Sequence, residues 1–227
     1  MSSERVIVTG ACGVLGSSVA QHLKETGFEV LETSFRLGHD LTDEEFVKAF
    51  FAENKADYLV NLFALNHHID PGGEDCSLFN ISLDSFRNFM EVNVTALFSA
   101  CREFARNQEA RGIVNFSSIY GLSSPIGHLY GSNQKHIGYS ASKAAVIQLS
   151  RHLATHLAPR VRVNCIVPGG VENGQDPEFI EKYSGHTPLK RMMRRDEVNG
   201  LVGYLCSEGS SYMTGSVLTL DGGWTAW

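Results

Sequence analysis

Tyr139 and Lys143, in the run Tyr139-Ser140-Ala141-Ser142-Lys143, stand four positions apart. On a helix that spacing puts a phenol and an ammonium on one face. A neighbouring cation favours the phenolate and lowers the tyrosine pKa, which a general acid or base needs near neutral pH. Far upstream, Thr9-Gly10-Ala11-Cys12-Gly13-Val14-Leu15-Gly16 follows a short β-branched run. Glycines there let a strand turn sharply into a helix and let a pyrophosphate approach backbone N–H groups, where the helix dipole favours negative charge. Gly10, Gly13, Val14, Leu15 and Gly16 are the expected contacts of a dinucleotide. The residue that reads its ribose is expected at the end of the second strand. Ser34 with Arg36 suits a 2′-phosphate, so NADP(H) is expected ahead of NAD(H). Glu32 shares the face of Ser34 by strand alternation and is the alternative, a holder of a 2′-hydroxyl and hence of NAD(H).

These groups need a scaffold, and the chain alternates strands with helices. Arg5-Val6-Ile7-Val8-Thr9 reads as a strand, and Leu15, Val19 and Leu23 recur as a helical stripe. Residues 28–33 and 58–62 read as strands, with a capping box at Thr42 and Glu45 between them. A long helix is expected over residues 82–107, its stripe formed by Phe86, Phe89, Met90, Leu97, Cys101 and Phe104. Asn93 interrupts that stripe, and a buried amide is costly unless it is satisfied, so a role in a site or in bending the helix is expected. Residues 112–117, 161–167 and 216–220 read as strands. Residues 139–157 read as a helix with Ala141, Ala145, Leu149, Leu153 and Leu157 on one side. This order implies an α/β fold, a parallel doubly wound sheet in a three-layer α/β/α sandwich.

The 227 residues, 43% of them hydrophobic, suit one domain with a sizeable core. A net charge of −6 gives no basic surplus for nucleic acid. No run approaches about 18 apolar residues, so no membrane span is expected, and residues 1–10 lack signal-peptide architecture. Five cysteines (Cys12, Cys76, Cys101, Cys165 and Cys206) include no Cys-x-x-Cys pair. Reduced thiols in a cytoplasmic protein are the expectation. His67-His68 have no carboxylate at ligand spacing, so no metal is expected. Arg191, Arg194 and Arg195 precede Asp196 and Glu197 and read as a solvated helix start.

In order along the chain come Thr9-Gly10 with its glycine turn, Asn61, Asn93, Ser117-Ser118, Tyr139-x-x-x-Lys143, Pro168-Gly169 and Asp221-Gly222-Gly223. Together they resemble the short-chain dehydrogenase/reductase family, of classical type, nearly end to end. The resemblance implies a single-domain, Rossmann-like NAD(P)-dependent oxidoreductase that moves hydride between nicotinamide and a carbonyl or secondary alcohol. It implies Tyr139 as general acid/base and Lys143 as holder of the nicotinamide ribose and the group that lowers the tyrosine pKa. Ser118 would bind the substrate oxygen, and Asn93 would hold a backbone distortion and a proton-relay water. Asp40 and Leu41 would contact adenine, and Asn61, Ala64, Pro168, Gly169 and Val171 would add to the cofactor contacts. Residues 221–227, with Ser118-Ile119-Tyr120-Gly121, resemble reductases of bacterial surface-sugar (nonulosonate) pathways, and a sugar-derived or other small polar substrate is expected.

Three features depart from the pattern. Gly10, Gly13 and Gly16 follow the spacing of the family's epimerase-like branch, which makes a sugar epimerase or dehydratase an alternative. A cofactor sensor without turnover is another. The four residues Asn61-Leu62-Phe63-Ala64 replace Asn-Asn-Ala-Gly. Ser118 and Tyr139 lie 21 positions apart, and the extra stretch 122–137, with Pro125, His128, Tyr130, Asn133, Lys135 and His136, is expected to shape the substrate pocket. Only about 60 residues follow Pro168, room for a short lid over 171–189 but not for an epimerase's second domain. A homo-oligomer is expected, a tetramer built through helices 82–107 and 139–157, with Val94, Phe98, Ala144 and Ile147 facing outward and Trp224 and Trp227 between subunits.

Overall fold

Strands such as Val6-Ile7-Val8, Leu59-Val60 and Ile113-Val114 are apolar at consecutive positions, so both faces must be covered. The computed structural model describes residues 3–69, 77–130 and 134–227, and there helices supply that cover. The elements run β1 (Arg5–Thr9), α1 (Val14–Glu25), β2 (Glu29–Thr33), α2 (Glu44–Glu53), β3 (Tyr58–Asn61), β4 (His68–Ile69), α3 (Leu83–Met90), a π-helical turn (Glu91–Thr95) and α4 (Ala96–Ala105). They continue with β5 (Gly112–Phe116), β6 (Gln134–Lys135), α5 (Ile137–Leu157), β7 (Arg162–Pro168), α6 (Pro177–His186), α7 (Asn199–Leu205) and β8 (Val217–Leu220). Six strands form one parallel sheet in the order β2-β1-β3-β5-β7-β8. Val6 and Val8 pack with Val19 and Leu23 of α1 and Val202 and Leu205 of α7. Ile7, Leu59 and Ile113 face the other layer, with Phe51 of α2, Phe104 of α4 and Val146 of α5. The chain reverses direction across β1 and β3, and the carboxyl ends of those strands open the crevice that doubly wound sheets use for ligands.

Several elements differ from the sequence expectation, each for a local reason. Helix α2 is capped by Asp43, whose carboxylate accepts from the Glu45 and Phe46 N–H groups at 2.9 and 3.2 Å; Thr42 instead donates to Asp40. The helix over 82–107 is interrupted by the π-helical turn that contains Asn93. In α5 the inward face is Ser142, Lys143, Val146, Ser150 and Ala154, whereas Ala141 is exposed. Its buried polar residues bond to Asn93, Phe116 O and Asn115, while of the expected stripe Leu153 is buried and Leu149 and Leu157 pack against the core. Ile147 is 5% exposed and belongs to the core, not to an outer patch. Trp224 is buried in its own chain, stacked on Tyr183 with centroids 4.4 Å apart, while Trp227 is 78% exposed. A small antiparallel pair, β4 with β6, had no counterpart in the hydrophobic pattern. Cys76 and Asn133 lie outside the described residues. Cys12, Cys101, Cys165 and Cys206 are free thiols. Among the described residues no helix is long and apolar enough to cross a membrane.

Candidate active site

A cavity of about 480 Å³ opens at the β1/β3 switch point. Gly10 and Gly13 line it from the turn after β1, Ser34, Arg36, Asp40 and Leu41 from the segment after β2, and Ala64 from the turn after β3. Gly10 has φ +68°, and a Cβ there would lie 2.5 Å from the Phe63 nitrogen. A Cβ at Gly16 would overlap the Gly10 carbonyl oxygen. These two glycines thus hold the turn against β3 and α1 rather than line the cavity together. The first intrahelical bond of α1 is Ser17 N–H to Gly13 O, so the amides of Val14, Leu15 and Gly16 carry no helical partner. No side chain caps that end, and its first turn has no acid, an arrangement open to an anion.

The rest of the rim follows from its hydrogen bonds. Ser34 follows β2 and starts a 3-10 turn, Phe35–Leu37. Arg36 extends across the turn and donates to the Cys12 carbonyl at 3.4 Å. Glu32 is drawn away to Lys24 of α1 at 2.5 Å and is not among the cavity-lining residues. Asp40 accepts from Thr42 N–H at 2.9 Å, which fixes its carboxylate at the rim. Phe35, 77% exposed, together with Cys12, His39, Phe63, Asn88 and Val92, also lines the cavity. None of these carries a motif; only the fold brings them to one mouth.

Asn61 differs from expectation. Its amide lies in a buried ladder across the sheet: Thr9 Oγ1 donates to Asn61 Oδ1 at 3.0 Å, Asn61 Nδ2 to Asn115 Oδ1 at 2.9 Å, and Asn115 Nδ2 to Ser150 Oγ at 3.0 Å. Its side chain therefore ties β1, β3, β5 and α5 together and is not part of the cavity lining. Pro168 ends β7, Gly169 is pinned to Leu220 O at 2.9 Å, and Val171 bridges to Met193. They sit at the far end of the crevice, beside Tyr183, whose hydroxyl accepts from Gly170 N–H at 2.5 Å.

There the chemistry-bearing side chains converge. Tyr139 is buried in the first turn of α5 with Ser118 beside its phenol, and the Ser118 hydroxyl accepts from Tyr120 N–H at 3.2 Å. Burial pushes the phenol above its ordinary pKa and the neighbouring Ser118 hydroxyl opposes this. The Tyr-x-x-x-Lys spacing predicts a phenol lowered by Lys143. Instead the Lys143 ammonium donates to Phe116 O at 2.9 Å, 5.8 Å from the Tyr139 ring centroid, and burial brings it down to about 8. Asn93 Nδ2 donates to Leu65 O at 3.1 Å and to Ser142 Oγ at 2.9 Å, and its Oδ1 accepts from Leu65 N–H at 2.7 Å. The π-helical turn thereby clamps the β3 turn to the catalytic face of α5. The stretch after Ser118 folds back over this site: the Tyr130 hydroxyl meets that of Tyr120, and the Tyr130 ring lies 5.5 Å from Phe179. His67 packs against Phe89 with ring centroids 4.6 Å apart and the planes tilted by 45°. Among the described residues no cluster of three metal-ligating side chains exists, and Arg191 is paired with Glu197 at 2.6 Å.

Residues 5–225 match the family model described as Enoyl-(Acyl carrier protein) reductase. Galactitol 2-dehydrogenase (L-tagatose-forming) of Cereibacter sphaeroides is 35% identical over 203 aligned positions, covering 85% of this chain and 76% of that protein. Glucose 1-dehydrogenase of Gluconobacter oxydans is 30% identical over 256 positions, covering 99% of this chain and 92% of that one. Among solved structures, a short chain dehydrogenase from Leptospira borgpetersenii with bound NAD+ superposes with a TM-score of 0.87 at 26% identity, covering 99% of this chain and 94% of that one. With a glycine turn at a switch-point cavity and a buried Tyr139–Ser118–Lys143 group, the chain belongs to the short-chain dehydrogenase/reductase family, of the classical type. It is a nicotinamide-dependent oxidoreductase acting on CH–OH groups; the epimerase and sensor alternatives are not favoured. The uncapped α1 terminus, the cavity at the switch point and the cationic and phenolic groups at its far end fit a nicotinamide dinucleotide.

Proposed function

We propose that this chain interconverts a secondary alcohol and a carbonyl on a small, polar, sugar-derived substrate, with Tyr139 as general acid/base. The observation that carries the reading is the buried Tyr139 phenol beside Ser118 in a family of oxidoreductases. Ser118 holds the substrate oxygen, and Tyr139 gives it a proton in reduction or takes one in oxidation. Lys143 binds the nicotinamide ribose, and Asn93 fixes the distorted turn and supports a water relay through Lys143. The bound nicotinamide supplies or accepts the hydride. Gly10, Gly13, Val14, Leu15 and Gly16 hold the pyrophosphate side, with Asp40, Leu41 and Ala64 at the adenosine and Pro168, Gly169 and Val171 at the nicotinamide end.

The Ser34–Arg36 rim, with Glu32 engaged by Lys24, favours NADP(H) over NAD(H). Residues 171–189, which include α6, serve as a short lid, and the partly exposed Tyr130 and Phe179 offer aromatic faces to a sugar's C–H groups. The relatives' names, galactitol and glucose dehydrogenases, favour a polyol or sugar. The free thiols fit a reducing, cytoplasmic setting. Exposed Phe98 and Ala144 on α4 and α5 favour a homotetramer. The deciding experiment is a screen of polyols, sugars and carbonyls by cofactor absorbance, with NADP(H) and NAD(H) in parallel. Turnover that fails with every alcohol and carbonyl would refute the reading.

A further inference from the structure

Lys135 lies four positions before Tyr139, in the stretch that separates Ser118 from Tyr139. Its backbone is fixed in β6 opposite His68 of β4, immediately ahead of α5. That ribbon brings its ammonium over Tyr139, 4.5 Å from the ring centroid, while Lys143 stands 5.8 Å from the same centroid. Two cations thus flank one buried phenol. Among the described residues the Lys135 ammonium meets a neutral acceptor, Asn66 Oδ1, and no carboxylate. Burial, with Lys143 adding to it, brings Lys135 down to about 8, so it is still mostly charged at neutral pH. A half-buried cation beside a like charge is unfavourable until an anion completes it.

Resting on the assignment of Tyr139 and Ser118 to the reacting oxygen, we propose that Lys135 selects the substrate, its ammonium receiving an anionic oxygen group, a carboxylate or a phosphate, a few atoms from the carbon that is oxidised or reduced. The two ammonium groups bond elsewhere, Lys143 to Phe116 O and Lys135 to Asn66 Oδ1, and burial leaves the Tyr139 phenol raised. Asn66, also at this ribbon, orients the ammonium and offers an amide to the same anion. The surrounding Tyr120 and Tyr130 hydroxyls are neutral and bonded to one another, so they do not supply the charge complement that an acid needs.

The test uses matched pairs: galactitol against galactonate, and D-glucose against D-glucose 6-phosphate. Each is assayed by cofactor absorbance and, separately, by tryptophan-fluorescence titration of the protein. Wild type should favour the anionic member of one pair by about tenfold or more in kcat/KM, and Lys135→Met should bring that ratio to about one, chiefly through KM. Lys135→Arg should keep most of the ratio, and matching melting curves establish that both variants fold. Galactonate preference assigns a carboxylate, glucose 6-phosphate preference a phosphate. A ratio that Lys135→Met leaves unchanged, or anions that bind no better than neutral sugars, would overturn the proposal. So would an equal loss on both members with a shifted pH profile, which would make Lys135 a partner of the phenol. If none of the four compounds turns over, the choice of sugar substrate fails and the fluorescence titration decides the anion site by itself. A Lys135-dependent difference in the fluorescence titration would still support the anion site, and its absence would overturn that too.

Discussion

Tyr139→Phe deletes one oxygen and keeps the ring. The ring is buried in the first turn of α5 and packs under Lys135, so its apolar contacts survive. What is lost in the folded state is at most one polar contact, with Ser118, worth about 1 kcal/mol and partly offset by removing a buried hydroxyl. The fold should therefore hold. The loss in turnover is larger. A positioned acid/base contributes about 10²–10⁴-fold, or about 3–5 kcal/mol of barrier at roughly 1.4 kcal/mol per decade. The neighbouring phenols are poor substitutes because the Tyr120 and Tyr130 hydroxyls are hydrogen-bonded to one another. Steady-state kinetics by cofactor absorbance, with cofactor binding followed by fluorescence, should show kcat down by about 10² or more and binding retained. A variant with near-wild-type kcat would transfer the proton to Tyr120 or Tyr130 and refute the assignment.

Arg36→Ala should weaken NADPH by about 1.5–3 kcal/mol and leave NADH nearly untouched; equal losses measured by fluorescence titration would make Glu32 the ribose reader. In the pH profile, alcohol oxidation needs the phenolate and carbonyl reduction the phenol. Because burial raises Tyr139, oxidation should climb on the alkaline side and reduction should persist to alkaline pH, and an oxidation rate that falls as pH rises from neutral would contradict this. Asn93→Ala removes three hydrogen bonds to Leu65 and Ser142 and should cost about 1.5–4 kcal/mol; an unshifted urea midpoint would contradict the clamp. Light scattering should give a tetrameric mass that Phe98→Glu lowers, and a monomeric wild type at micromolar concentration would remove the α4–α5 interface.

Much of the scaffold is legible from local rules. Alternating β-branched runs and helical stripes already specify strands, helices and a parallel sheet, because backbone periodicity acts over a few residues. The glycine turn and the Tyr139–Lys143 spacing are legible for the same reason, since each is one local element carrying its own chemistry. Other features depend on what lies opposite a residue. Asn61 matches a cofactor motif by position, but Thr9 and Asn115 on neighbouring strands capture its amide. Of the stripe Ala141, Ala145, Leu149, Leu153 and Leu157, the leucines reach the core while Ala141 is exposed. Ser142 and Ser150 share the buried face, where Asn93 and Asn115 bond their hydroxyls. Trp224 meets Tyr183 only once the segment after β7 has folded back.

The sequence by itself determined the fold class, the glycine turn and the placing of Tyr139 and Lys143 on one helix, since these are written in short-range spacing. The tertiary structure alone decided that Glu32 pairs with Lys24, that Lys143 binds the Phe116 carbonyl and that Lys135 stands over Tyr139. The physical reason is that electrostatic partnership and desolvation act through space between segments far apart in the chain, and no local pattern encodes which groups will meet.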